Sequence, residues 1–258
     1  MSGKGGVGKT TLVVNLGAVL AQHFKKKVTA VDCNVTASHL GLHLGMYYWP
    51  ATLNKVLRGE NSVEEAIYKH FSGMKVIPAS LSLVELEGVD VGKIKNGIEP
   101  VFEDNDLVLL DTSPGLGREA ISALKSSEEV IYVTTPFFPS VLDVVRTHEV
   151  AKELGVKPIG VVLNMVKRER HEMSKVEVEQ LTGLPVIATV PYDKNVEKSL
   201  VTKMPVVNLN PNAAASKEFF KLAASLIGVP YKTESLLSKI IDKIVPKRGV
   251  PKEALENV

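Results

Sequence analysis

The first eleven residues, MSGKGGVGKTT, carry the most specific chemistry of the chain. Gly3, Gly8, Lys9 and Thr10 fit the spacing G-x-x-x-x-G-K-[ST], in which successive backbone N–H groups form a nest for phosphate oxygens. Gly3, Lys4, Gly5, Gly6, Val7, Gly8, Lys9, Thr10 and Thr11 are therefore the candidate nucleotide contacts. In that arrangement Lys9 reaches the β- and γ-phosphates and the Thr10 hydroxyl ligates Mg2+. A second cluster follows Asp111, which is succeeded by TSPGLG. An acidic residue at a strand end can hold the water shell of Mg2+. The turn through Pro114 and Gly115 can approach the γ-phosphate and change conformation with it. Lys4 is extra, since the general motif does not require it.

Elements of a particular kind must hold these residues in place. Candidate strands are Lys27–Asp32, Lys75–Ala79, Asp106–Asp111, Glu129–Thr135, Pro158–Val166 and Pro185–Pro191. Helical patterns lie between them, near Thr52–Arg58, Ser62–Tyr68, Gly92–Phe102, Arg118–Lys125, Ser140–Leu154, Lys175–Leu181 and Asn195–Val201. Near-continuous Val/Ile/Leu strands alternating with helices predict an α/β fold with a mostly parallel sheet covered on both faces. Asp32, Asp111, Thr135 and Asn164 all end strands, which is where an open α/β sheet binds its ligand. The apolar run TLVVNLGAVLA reads as the helix opened by the phosphate loop rather than as a secretory h-region, which would begin inside a complete loop.

Composition bounds the rest. With 258 residues, 45% hydrophobic and 23% charged, the chain is ordinary globular material. A net charge of +2 advertises neither nucleic acid nor an anionic surface. The lone Cys33 excludes an internal disulfide and a Cys-x-x-Cys pair, and points to a reducing, cytoplasmic setting. No run of about 18 apolar residues is present. Ser216–Gly228 reads as the helix that closes a domain of residues 1–229, with a tail at 230–258.

At this point the motifs carry a family resemblance. KGGVGKTT, with its early lysine, resembles the deviant phosphate loop of the MinD/ParA class of P-loop ATPases, and most closely that of archaeal MinD-like proteins. VDCNVTASHLGLHLG resembles their first switch and DTSPGLG their second. VTTPFFPSVLDVVRT, GVVLNMV and VPYDKNVEKSL follow in the order that class shows. The resemblance covers Ser2 to Ile227. It implies a SIMIBI-type P-loop fold, ATP/ADP and Mg2+ as cofactors, and Asp32 and Asp111 on the metal through water. It also implies that Lys4 reaches across a homodimer formed with ATP, where it stabilises negative charge on the partner's nucleotide as an arginine finger does. GTP-selective relatives use Asn/Thr-Lys-x-Asp; LNMV supplies Asn164 without the Lys and Asp, so ATP is expected, with Asn164, Pro191 and Asp193 around the adenine.

One residue departs from the class. Many members read Asp-x-Asp in the first switch, whereas this chain reads Asp32-Cys33-Asn34. An asparagine can orient the attacking water but has no charge with which to draw off its proton, so slow hydrolysis is expected. Cys33 reads as a small buried hydrophobe.

A phosphate loop hangs from a central strand, yet only Met1 and Ser2 precede this one. Members of the class have about five residues there, and a missing central strand leaves its neighbours with unpaired backbone groups at about 1–3 kcal/mol each when buried. The expectation is that the protein begins a few residues upstream of Met1. In the tail, SLLSKIIDKIVPKR places its aliphatic residues on one half of a helical wheel and its lysines on the other. The stretch 235–245 is thus either an interfacial helix on an anionic membrane or a helix docked on the core.

The leading functional expectation is a slow, ATP-driven dimerisation switch of the MinD type that positions or recruits a protein partner at a membrane. Its alternatives are a ParA-like partitioning ATPase on DNA, favoured only by the basic stretch KRERHEMSK, and an Mrp-like metal-cofactor accessory ATPase. A lone cysteine speaks against the last.

Overall fold

The structure is a computed structural model and describes residues 1–231. Seven strands, β1 (Val28–Asp32), β2 (Tyr68–Lys69), β3 (Lys75–Ile77), β4 (Leu107–Asp111), β5 (Glu129–Thr134), β6 (Lys157–Val166) and β7 (Val186–Pro191), form two sheets among the described residues. One has the order β2-β3-β1-β4 and the other β5-β6-β7. Every pairing is parallel except that of the edge strand β2. The helices are α1 (Lys9–Gln22), α2 (Leu40–His43), α3 (Leu53–Leu57), α4 (Ile94–Glu103), α5 (Arg118–Lys125), α6 (Phe138–Glu153), α7 (Lys175–Thr182), α8 (Lys194–Thr202), α9 (Val206–Leu209) and α10 (Ala214–Leu226).

The strands read as apolar runs because both sheet faces are covered. Along β5 and β6, Val133 and Val162 join a core formed with α1 and α10, while Tyr132, Val161 and Leu163 join one formed with α5, α6 and α7. That split follows the two-residue alternation of a strand. The helix α1 is buried almost all round, from Leu12 to Ala21, as expected of an apolar helix enclosed by other elements. The expectation of a mostly parallel α/β fold with helices on both faces is met.

Two local readings are corrected. The segment Ser62–Tyr68 is not a helix: only a 3-10 turn, Glu64–Ala66, forms before β2 pairs antiparallel with β3. A two-residue strand is too short to show a period, and the acidic first turn imitated a helix start. The short α2 and α9 also escaped the periodicity reading, being one turn each. The stretch 235–245 lies outside the described residues.

Among the described residues β4 and β5 do not pair with each other. Met1 and Ser2 stand between the two sheets. The Met1 amine donates to the Ile131 carbonyl at 2.8 Å. The Met1 carbonyl accepts from Val133 N at 2.9 Å, and the Ser2 carbonyl accepts from Gly115 N at 3.0 Å. These bonds hang the loop that follows at the carboxyl ends of the strands.

Candidate functional site

The loop Gly3–Gly8 closes onto the first turn of α1, whose N-cap is Gly8 at φ 96°, ψ 27°, with no side-chain cap. The opening N–H groups of the helix are thereby left for an outside acceptor, at the positive end of the helix dipole. Gly8 is needed twice over. Its φ is left-handed, and a Cβ there would lie 2.3 Å from Asn164 Nδ2. Replacing it with alanine costs about 1–2 kcal/mol for the backbone alone and displaces Asn164 as well. The expected result is a lower melting temperature together with weakened nucleotide binding; an unchanged melting curve would contradict it. Gly3 is held to glycine by close approach, because a Cβ would meet Asp143 Cβ on α6 at 2.4 Å.

Lys9 Nζ donates to Ser2 Oγ at 2.9 Å. Burial lowers its pKa, and the nearby Asp111 carboxylate pulls it back up. Lys4 is the opposite case: its side chain is exposed, and among the described residues its ammonium makes no hydrogen bond or ion pair. The motif therefore presents one lysine turned into the loop and one left outside it.

The metal-type oxygens come from β1 and β4, whose register sets Asp32 directly opposite Asp111. Thr10 Oγ1 donates to Asp111 Oδ2 at 2.6 Å. Asp111 Oδ1 is buried and has no hydrogen-bond partner. A buried carboxylate oxygen without a donor is costly, and beside a threonine hydroxyl it has the hard-oxygen character that Mg2+ takes. The residues present fit that ion. Asp32 has hydrogen-bond partners of its own. It accepts from Asn34 N at 3.1 Å, Ser38 Oγ at 2.8 Å, His39 N at 3.2 Å and Leu40 N at 3.1 Å, so it shapes the loop after β1. Burial, and then the neighbouring Asp111 charge, push its pKa up to about 7. Burial likewise raises Asp111, against the Thr10 hydrogen bond and the Lys9 charge.

Asn34 Nδ2 donates to the Ala37 carbonyl at 2.7 Å, so here its amide braces the same loop. An aspartate at that position could not make this bond. Cys33 is fully buried, as a small hydrophobe would be. The turn after β4 reaches the phosphate loop. Gly115, at φ +79°, donates to Ser2, and the Pro114 ring lies 3.8 Å from where a Gly5 Cβ would stand.

Asn164, at the end of β6, is 8% exposed and donates through Nδ2 to the Val7 carbonyl at 2.7 Å. It thus ties the phosphate loop to the second sheet. Pro191 ends β7 and leads to Asp193, the N-cap of α8. Burial pushes the Asp193 pKa up, but hydrogen bonds from Asn195, Ala215 and Ala214 bring it below the usual range. Its carboxylate joins α8 to the start of α10. The structure thus brings Gly3–Thr11, Asp32, Asn34, Asp111, Pro114, Gly115 and Asn164 into one cluster at the strand ends.

Sequence reasoning passed over three residues in this cluster. Ser2 and Ser38 are partners of Lys9 and Asp32. Glu119, in the first turn of α5, accepts from Thr36 N at 3.0 Å and so links the loop after β1 to the one after β4. Only Ser2, adjoining the motif, carried a sequence signal.

A phosphate loop at a helix N-terminus, with acidic strand ends beside it, defines a P-loop nucleotide-binding domain, and the chain belongs to the family described as the CobQ/CobB/MinD/ParA nucleotide binding domain, which matches residues 1–206. Among its relatives is an uncharacterized ATP-binding protein of Methanocaldococcus jannaschii, 39% identical over 94% of this chain and 91% of that one. Two solved structures are also similar. The cell division ATPase MinD of Pyrococcus furiosus aligns with a TM-score of 0.85 and 33% identity, covering 88% of this chain and 96% of that one. MinD of Pyrococcus horikoshii, complexed with Mg-ADP, aligns with a TM-score of 0.84 and 31% identity over 88% and 93%. The resemblance to archaeal MinD-like proteins is thereby established.

Proposed function

We propose that this chain is an ATP-dependent dimerisation switch of the MinD type, a slow ATPase that recruits a protein partner to a membrane surface. The observation that carries the reading is the contrast between its two lysines. Lys9 is engaged in the loop, whereas Lys4 stands exposed beside it and makes no hydrogen bond or ion pair among the described residues. A second feature supports it. Large apolar side chains follow the carboxyl ends of parallel strands: Leu83 (78% exposed) and Val84 (78%) after β3, and Phe138 (56%) after β5. In a parallel sheet these ends share the edge that carries the nucleotide site, where exposed apolar groups suit the core of an interface.

In this reading the nest and Lys9 bind the phosphates of ATP or ADP, Thr10 ligates Mg2+, and Asp111 and Asp32 hold it through water. The metal supplies charge neutralisation on the phosphate oxygens. Asn164 fixes the loop and borders the adenine with Pro191 and Asp193. Lys4 of one protomer acts on the other's nucleotide, and Asn34 orients the attacking water. The loop after β1 and the turn through Pro114 and Gly115 sense the γ-phosphate, and Glu119 couples them.

The paired carboxylates give this scheme a pH signature. Burial and the facing Asp111 charge push the Asp32 pKa up to about 7, so Mg2+ competes with a proton at the pair. Metal affinity should therefore rise with pH up to about 7 and level off above it, by at most about tenfold per unit for one proton. Mg2+ titrations of the ADP complex at stepped pH check this, with nucleotide binding in EDTA as the control for the phosphates. A flat profile would remove the pair from the metal site.

The membrane part of the reading concerns residues 235–245. Two tails held in one dimer act with avidity, which raises binding by about 10²–10⁴ without any new contact. Vesicle co-sedimentation of the full chain should therefore require ATP and anionic lipid, and weaken with salt. Absence of vesicle binding with ATP would leave the docked-helix reading of the tail in place.

A further inference from the structure

Lys9 is the first residue of α1, and its ammonium stands at the end of a flexible stem of methylene groups. A stem of that kind has many rotamers, so a partner must hold the charge where phosphate oxygens arrive. Among the described residues the ammonium has one hydrogen-bond acceptor, the Ser2 hydroxyl at 2.9 Å.

The backbone of that serine is pinned on every side. Ser2 is buried, at 1% exposure. Before it, the Met1 carbonyl accepts from Val133 N on β5 at 2.9 Å, and its own carbonyl accepts from Gly115 N at 3.0 Å. After it, Gly3 lies so close to α6 that a Cβ would stand 2.4 Å from Asp143 Cβ. Strand β5, helix α6 and the turn after β4 thus fix the point from which the hydroxyl projects.

The direction of the hydroxyl is fixed as well. A serine oxygen has one proton and two lone pairs. The proton goes to the Lys4 carbonyl at 2.8 Å. A lone pair is what remains for Lys9, so the bond runs from ammonium to hydroxyl. An ammonium carries three protons, and with one of them on Ser2 the other two stay available to phosphate oxygens. Ser2 can therefore keep its bond while a phosphate binds. Holding the charge in place beforehand saves the rotamer entropy that binding would otherwise cost.

We propose that Ser2 is a positioning residue of the phosphate loop, whose hydroxyl keeps the Lys9 ammonium aimed at the phosphate oxygens before a nucleotide arrives. The role toward phosphate rests on the nucleotide reading above; the bond between Lys9 and Ser2 does not. A serine that served only to satisfy the Lys4 carbonyl would act without Lys9. Whether the effect runs through Lys9 therefore separates positioning from a structural role.

The test compares the full chain with Ser2→Ala, Lys9→Ala and the double variant. Without nucleotide, proton exchange of the Lys9 ammonium is followed by nitrogen NMR of labelled protein, the signal being the one lost in Lys9→Ala. It should quicken about tenfold in Ser2→Ala, where the hydrogen bond is gone. Mg-ADP affinity should fall about tenfold on Ser2→Ala in the parent, from the rotamer freedom returned to Lys9. In the Lys9→Ala background the same change should cost less than about twofold, because no ammonium remains to aim. An equal loss in both backgrounds would overturn the positioning role and leave Ser2 a structural residue. Parent-like affinity in Ser2→Ala, or an unchanged exchange rate, would overturn it too. Parent-like binding by Lys9→Ala would overturn the nucleotide reading of Lys9, and with it the aim at phosphate, while quickened exchange in Ser2→Ala would still establish the bond.

Discussion

Replacing Lys9 with alanine should weaken Mg-ATP and Mg-ADP binding by about 10²–10⁴-fold. The phosphates would keep the backbone nest but lose the one ammonium engaged in the loop, and leaving a partly buried charge unpaired costs about 3–5 kcal/mol. Lys9 sits on Ser2 Oγ, so the fold loses little by its removal, and circular dichroism of the variant should match the parent. A competition assay with a fluorescent nucleotide gives the affinity. Binding within tenfold of the parent would mean that the nest alone carries the phosphates.

Replacing Lys4 with alanine should leave the same binding curve in place and abolish turnover. Its side chain is exposed and makes no hydrogen bond or ion pair among the described residues, so stability and single-protomer affinity should stay as they are. The loss falls on hydrolysis in the dimer, by about 10³–10⁵-fold if the lysine acts as an in-trans finger does. Turnover followed against protein concentration measures this, because only the parent should gain activity as dimers form. Parent-like hydrolysis by the variant would end the in-trans role.

The loop chemistry was legible because it is local: spacing alone specifies the nest, the lysine and the threonine. The alternation of apolar strands and helices likewise gave the parallel sheet, and β1, β4, β5 and β6 lie within a residue of where the sequence puts them. What escaped depends on contacts far apart in the chain. Asn164 reaches Val7 across 157 residues, and Glu119 reaches Thr36 across 83. No local pattern encodes either bond. The four hydrogen bonds to Asp32 were equally hidden, since three of their donors are backbone N–H groups set by a loop conformation.

The central claim is that the γ-phosphate drives two copies together through this site. Sedimentation velocity of the full chain with Mg2+ and a non-hydrolysable ATP analogue, against Mg-ADP, tests it most directly. The account predicts a dimer with the ATP analogue and a monomer with ADP, with the Lys9→Ala variant monomeric in both. A monomer in every nucleotide state, with binding of the analogue confirmed, would contradict it.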